Sequence, residues 1–327
     1  MDDRIPNPTA LVTVRFTSEQ QAAAERVFRE RAPGGRLLFV TDREQAARWM
    51  READLICTGT PFRHALRGAG RVRWLQTTGH GIDRYLSPEL LALDFVMTNR
   101  PTDGHVLAEH LLMVMLGFVR HFRELVEAQS ERRWALDELA PISRTLQGQA
   151  VGLIGVGHVG QAVAVRARAF GMRVLGLRRS HVPKPDWLDE QYSCSGLTDL
   201  LLQADHVVVT LPNTPQTVGF IGQAELRKMK PTAYLYNVGR AVTTDERAVV
   251  RALREGWIAG AGLDVFEEEP LQADSPLWSL PNALITPHIA GEHPNAQRDV
   301  AAIYTENLRR YLGGEPLLHQ VDVKRGY

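Results

Sequence analysis

Gly155-Val-Gly-His-Val-Gly160 is a run whose glycines can together bring backbone N–H groups against a phosphate. It directly follows the apolar stretch VGLI and opens a helical pattern, QAVAVRARAFG. In that context Gly155 permits a tight turn, Gly157 lets the backbone approach a pyrophosphate, and Gly160 lets the helix pack on the strand. The helix start adds N–H groups without partners and the positive end of the helix dipole. About 20 residues on, Arg178, Arg179 and Ser180 follow RVLGL, where an acid would ordinarily bind a ribose hydroxyl. A guanidinium there offers forked donors to a 2′-phosphate, and Arg179 and Ser180 add a second cation and a hydroxyl. The pair predicts a dinucleotide site that prefers NADP(H) and also admits NAD(H).

Three later segments each hold one group able to do chemistry. YNVGRAVTTDERAVVRAL carries Arg240, GAGLDVFEEEPL carries Asp264 and Glu269, and TPHIAG carries His288. Taken in this order behind the glycine run, together with TTGHGID (Thr77–Asp83), NRPTDGHVLAEH and the ending EPLLHQVDVKRGY, they make the chain resemble the D-isomer-specific 2-hydroxyacid dehydrogenases. The likeness runs over most of the chain. It implies that Arg240 holds the carboxylate and carbonyl of a 2-oxo acid and that His288 is the acid/base. It implies further that Glu269, singled out from Glu267 and Glu268 by the proline after it, is the partner of His288. The backbone amides of Thr78, Gly79 and His80 match the loop that receives the substrate carboxylate. Asp264 matches the residue near the nicotinamide carboxamide. The resemblance also puts Val159, Leu211, Pro212, Thr217, Val238, His288 and Gly291 against the cofactor, and a homodimer is the expected assembly.

The chemistry is coherent on the residues themselves. Reducing a 2-oxo acid needs hydride at carbon and a proton at oxygen. Histidine can supply that proton near neutral pH, its ordinary pKa being about 6.5. A neighbouring carboxylate favours the protonated ring and fixes its orientation. Arginine counters the substrate carboxylate and the charge growing on the carbonyl oxygen.

Four departures from the family pattern stand out. Arg178 and Arg179 replace the usual acid, and Ala241 follows Arg240 where glycine is frequent. His158 occupies a fingerprint position that is often basic, either touching the pyrophosphate or simply starting a helix. His80 lies beside the carboxylate loop, as an influence on substrate choice or an ordinary loop residue. Family members acting on formate carry glutamine where Glu269 stands, and those acting on phosphite carry a lysine in the Thr77–His80 loop; neither feature is present. A different class, the dinucleotide-sensing transcriptional corepressor, is the alternative reading. It would show partner contacts and negligible turnover.

The elements that must position these groups are legible as α/β alternation. ALVTVRF (Ala10–Phe16), RLLFVT (Arg36–Thr41), DLICTGT, VRWLQTT and FVMTN read as strands of a first doubly wound domain. Capping boxes are expected at Ser18/Gln21, Thr41/Glu44 and, later, Thr243/Glu246. An apolar helix is expected from His105 to Val126, as a core helix or a subunit contact. VGLIG, RVLGLR, DHVVVTLP, AYLYNVG, AGLDVF and ALITPH read as strands of a second domain, and AQRDVAAIYTENLRRYLGG as a closing helix. The expected architecture is a Rossmann cofactor domain, residues 100–291, inserted into a flavodoxin-like substrate domain formed by residues 1–99 and 292–327.

Composition narrows the partners. The 327 residues carry 38 basic and 38 acidic side chains, net zero, which argues against binding nucleic acid or an anionic membrane. The two cysteines, Cys57 and Cys194, form no CxxC pair, which fits a reducing cytoplasm. The eleven histidines show no metal-ligand spacing, so no metal is expected. The first residues, MDDRIPNP, do not read as a signal peptide, and LLMVMLGFV from Leu111 falls far short of the ~20 residues of a membrane span. The expected partner is a small 2-oxo or 2-hydroxy acid.

Overall fold

A computed structural model describes residues 5–101, 103–179 and 182–324. The chain forms two compact units, Met1–Thr102 with His293–Tyr327, and Asp103–Glu292. The first unit thus runs three residues beyond the expected break at 99. Asn99 and Arg100 are held in it by hydrogen bonds to the carbonyls of His80 and Thr78.

The first unit is a five-stranded parallel sheet of β1 (Thr9–Val12), β2 (Arg36–Phe39), β3 (Leu55–Thr58), β4 (Trp74–Thr77) and β5 (Val96–Thr98). Its order, β2-β1-β3-β4-β5, is that of a flavodoxin-like sheet. β1, β3 and β4 are buried throughout, which is why they read as short continuous apolar runs. One face packs against the helices Ser18–Arg31 and Ala296–Gly313, where Tyr304 stacks on Trp74 with ring centroids 5.5 Å apart. The closing helix therefore completes the core of the domain that opens the chain.

The second unit is a seven-stranded parallel sheet of β6 (Ala150–Ile154), β7 (Arg173–Leu177), β8 (Glu190–Tyr192), β9 (His206–Val209), β10 (Tyr234–Asn237), β11 (Gly260–Leu263) and β12 (Ala283–Ile285). Its order is β12-β11-β10-β9-β6-β7-β8. Successive residues point to opposite faces: Val207 and Val209 join one core with Leu200, Leu201 and Val249, while Val208 joins the other with Leu111, Met115 and Val163. The Gly104–Val119 and His158–Ala169 helices cover that second face.

Local details correct three expectations. The caps fall on Thr17, Asp42 and Asp245, which accept from the backbone N–H of Gln20, Gln45 and Ala248. Neighbouring cap-forming residues compete at each site, and Thr243 instead spends its hydroxyl on the Arg240 carbonyl, 2.6 Å away. The expected His105–Val126 helix is two helices, Gly104–Val119 and Phe122–Ser130, separated where His121 turns left-handed at φ 53°. β8, a half-buried edge strand of sequence EQY, lacked an apolar run and was not anticipated. Among the described residues no helix is long and apolar enough to cross a membrane.

His206 makes this core sensitive to acid. Its Nε2 lies 2.6 Å from Gln149 Oε1 and its Nδ1 2.8 Å from the Tyr236 hydroxyl, so the neutral ring donates at Nε2 and accepts at Nδ1. Burial lowers its pKa to about 4. The unfolded chain, with histidine near 6.5, then binds more protons between those values, so stability falls as pH drops from about 6.5 toward 4. Chemical denaturation should show this group costing on the order of 3 kcal/mol across that window, and His206→Gln should flatten the slope; an unchanged slope in the variant would contradict the assignment.

Candidate active site

All seven strands of the second unit are parallel, so the loops after them leave one carboxyl edge in the order of the sheet. Along that edge stand His288 after β12, Asp264 and Glu269 after β11, Val238 and Arg240 after β10, and Leu211, Pro212 and Thr217 after β9. The glycine run follows β6, and Arg178 and Arg179 follow β7. Adjacent strands are ~4.8 Å apart, so residues scattered over more than a hundred positions share one rim. Connections run one way from β6 to β8 and the other way from β9 to β12. The reversal between β6 and β9 is where open α/β sheets bind ligands.

The glycine run fits a dinucleotide. Gly155 has φ +109°, and a Cβ there would meet Thr210 Oγ1 at 2.7 Å. A Cβ on Gly160 would meet the Gly155 carbonyl oxygen at 2.4 Å, so the helix approaches the strand end only because residue 160 is glycine. Gly157, the N-cap of the His158–Ala169 helix, faces open space and, as glycine, brings no capping side chain of its own. The helix's first N–H groups are thus presented to the rim. Val159 is half-buried on the first turn. His158 is exposed, with Cδ2 3.0 Å from the Cβ position of Gly104. Its ring lies along the neighbouring helix start.

Arg178 is the first residue after β7, and its backbone N–H bonds Tyr192 O across to β8. Because Gly155 N–H bonds Leu177 O, the glycine turn and the arginine pair leave their strands side by side. Arg178 is half-buried and Arg179 exposed, while Ser180 lies outside the described residues. Thr217 turns its hydroxyl inward onto the Pro212 carbonyl at 2.6 Å, bracing the Leu211–Pro212 loop. Asn237 similarly shapes the next loop, accepting from Gly239 N–H at 3.0 Å and donating to the Arg240 carbonyl at 3.1 Å. The Arg240 guanidinium donates to the Gly239 carbonyl at 2.8 Å.

His288 and Glu269 are joined: Nδ1 lies 2.8 Å from Glu269 Oε2, with the His288 side chain 40 % exposed and that of Glu269 17 %. Glu269 Oε1 accepts from Phe266 N–H at 3.2 Å, which holds the carboxylate for the ring. With Nδ1 so engaged, Nε2 is the ring atom able to pass a proton outward. The backbone of His288 is left-handed, φ 54°, a conformation costing ~1–3 kcal/mol for such a residue and kept only where neighbours over-determine it. Asp264 does this. Buried to 2 % exposure, it accepts from Thr286 Oγ1 at 2.6 Å and Ile289 N–H at 2.9 Å on Oδ1, and from Ala290 N–H at 3.0 Å on Oδ2. Sequence reasoning placed Asp264 at the cofactor; the hydrogen bonds show it gripping the loop on both sides of His288. Gly291 lies in the turn that follows.

Thr78, Gly79 and His80 belong to the other unit, directly after β4. Thr78 and Gly79 are half-buried and His80 exposed. Asn99 Nδ2 donates to the His80 carbonyl at 2.7 Å and Arg100 Nε to the Thr78 carbonyl at 3.2 Å. These two bonds fix the carbonyls of the loop. Asn99, Arg100, Asn237 and Thr286 were missed by sequence reasoning. Their one signal was position, each within three residues of a strand end.

Comparison with known proteins identifies the family. Residues 112–290 match the model for the D-isomer specific 2-hydroxyacid dehydrogenase NAD binding domain. A glyoxylate reductase of Thermococcus kodakarensis is 34 % identical over 285 residues, 84 % of each chain. A glyoxylate/hydroxypyruvate reductase B of Pectobacterium carotovorum is 36 % identical over 253 residues, 76 % of this chain and 79 % of that protein. The solved structure of an NADPH-dependent glyoxylate/hydroxypyruvate reductase from Sinorhizobium meliloti, in complex with NADP and sulfate, superposes with TM-score 0.82 at 27 % identity, covering 98 % of this chain and all of that one. The chain belongs to the D-isomer specific 2-hydroxyacid dehydrogenase family. Its chemistry is accordingly the NAD(P)-dependent interconversion of 2-oxo and 2-hydroxy acids, and the corepressor alternative finds no support.

Proposed function

We propose that this chain is an NADPH-preferring reductase of small 2-oxo acids, glyoxylate and hydroxypyruvate among them, with His288 as proton donor. The His288–Glu269 hydrogen bond carries the reading. Glu269 orients the ring through Nδ1 and offsets the positive charge of the protonated form, so that Nε2–H is directed at the substrate oxygen. Arg240 holds the substrate carboxylate and stabilises the charge developing on that oxygen. The amides of Thr78, Gly79 and His80 bind the carboxylate. Bound at the glycine run, the nicotinamide cofactor supplies the hydride. Val238, Asp264, Leu211, Pro212, Thr217 and Gly291 line its nicotinamide half, and Arg178, Arg179 and Ser180 take the 2′-phosphate. The names of the Thermococcus, Pectobacterium and Sinorhizobium relatives support the substrate range, and the last supports the cofactor.

A cytoplasmic homodimer completes the reading. The Gly104–Val119 helix is core within its own unit, burying Leu107, Leu111, Met115 and Val119. Exposed apolar side chains follow it: Phe122, within the expected His105–Val126 span, is 63 % exposed, and beyond that span Trp134 is 90 % and Leu136 58 % exposed. Large exposed apolar side chains of this kind fit contact with a second copy of the chain. Sedimentation at micromolar concentration should give a dimer that Trp134→Glu with Phe122→Glu converts to monomer; a monomeric parent would remove this part of the reading.

Steady-state assays with NADPH and glyoxylate or hydroxypyruvate test the rest. His288→Asn should lower kcat by roughly 10²–10⁴-fold while NADPH still binds. Turnover near that of the parent would exclude His288 as donor. Arg178→Ala should cost about 10–100-fold in kcat/KM with NADPH and little with NADH; equal losses with both cofactors would remove Arg178 from phosphate recognition.

A further inference from the structure

The strand-end network continues beyond Asp264 to a histidine that the reaction scheme leaves without a task. His110 is a half-buried residue of the Gly104–Val119 helix, the lone ring of the apolar run LAEHLLMVML. Its Nε2 lies 3.1 Å from Thr286 Oγ1, and the Thr286 hydroxyl lies 2.6 Å from Asp264 Oδ1. A hydroxyl has one proton, and the acceptor-only carboxylate takes it. Only lone pairs of Thr286 then face His110, so Nε2 must carry a hydrogen and donate. Burial lowers the pKa of His110, with the Asp264 charge opposing as the smaller influence. The ring is accordingly neutral at neutral pH, in the Nε2–H tautomer.

The chain of donors has one direction: His110 Nε2–H to Thr286 Oγ1, Thr286 O–H to Asp264 Oδ1, and the Ile289 and Ala290 amides onto the same carboxylate. We propose that His110 is a positioning residue for the reaction, fixing the rotamer of the Thr286 hydroxyl and so the carboxylate that holds His288 in its left-handed conformation. Without this donor the Thr286 hydroxyl can rotate off Asp264. A carboxylate 2 % exposed then loses a partner that water replaces poorly. The loop loses part of what opposes the strain at φ 54°. The imidazole still pairs with Glu269, but its Nε2 samples directions away from the substrate oxygen, which costs turnover rather than binding.

The inference rests on His288 being the proton donor, and its test separates the two. His110→Phe keeps a ring of similar size and removes the donor; His110→Gln returns an N–H at similar reach. His110→Phe should lower kcat about tenfold, the effect of one hydrogen bond, while KM for glyoxylate and the NADPH Kd, read by nucleotide fluorescence, stay within twofold. Hydrogen exchange at the Ile289 and Ala290 amides should quicken about tenfold. His110→Gln should recover most of both losses. Thr286→Val should reproduce the His110→Phe profile, and the double variant should be no slower than either single one. Unchanged kcat and exchange in His110→Phe, failure of glutamine to do better than phenylalanine, or losses that multiply in the double variant would each overturn the proposal. Should His110→Phe not fold, the Thr286→Val and His110→Gln comparisons decide it by the same criteria. If His288→Asn proves fully active, the donor assignment fails first, whatever His110 does.

Discussion

A buried carboxylate held by neutral hydrogen-bond donors organises the loop that carries His288. Asp264 finds its partners in two backbone amides and one hydroxyl, all from the five residues Thr286–Ala290. A charge almost wholly removed from water demands such donors, and the loop after β12 can supply them only by wrapping around it. Wrapping sets the backbone of His288 in a conformation that a free loop would avoid. The strain is local and is opposed by bonds to a charged acceptor, which are among the stronger hydrogen bonds a protein makes. Everything downstream, including the approach of the imidazole to Glu269, depends on that loop staying folded around Asp264.

The parallel sheet does the coarser positioning. Each chemically active group of the second unit is borne by a loop that begins at a strand's carboxyl end, and neighbouring strands are locked in register. The glycine run and the arginine pair lie at the switch point and beyond it toward β7, the His288–Glu269 pair toward β12. Short braces then shape each loop: the Thr217 hydroxyl behind Leu211, the Asn237 amide behind Arg240, and the Phe266 N–H behind Glu269. A rigid scaffold with individually braced loops lets an arginine pair replace an acid after β7 without disturbing the reacting end.

What the sequence disclosed follows from the same physics. Strands buried on both faces must be short apolar runs, so β6, β9, β10 and β11 could be read directly, and the groups just behind them could be noticed as polar punctuation. β8 escaped because an edge strand needs no such run, and the helix break at His121 because neither glycine nor proline marks it. The caps shifted by one or two residues where serine, threonine and aspartate crowd together. The braces were illegible for a different reason: His110 and Thr286 are 176 residues apart, and nothing in either neighbourhood predicts that they meet. Asp264 was legible as important, but its work on the loop became visible only with its hydrogen-bond partners.

The central claim is that the His288 imidazole, held by Glu269, faces the oxygen that is protonated. A crystal structure with NADPH and the unreactive 2-oxo acid analogue oxamate tests it most directly. Hydrogen-bond distance from His288 Nε2 to the analogue's carbonyl oxygen, with the Arg240 guanidinium on the same molecule, is the predicted result. An analogue bound beside the nicotinamide with its oxygen directed away from His288 would contradict the account.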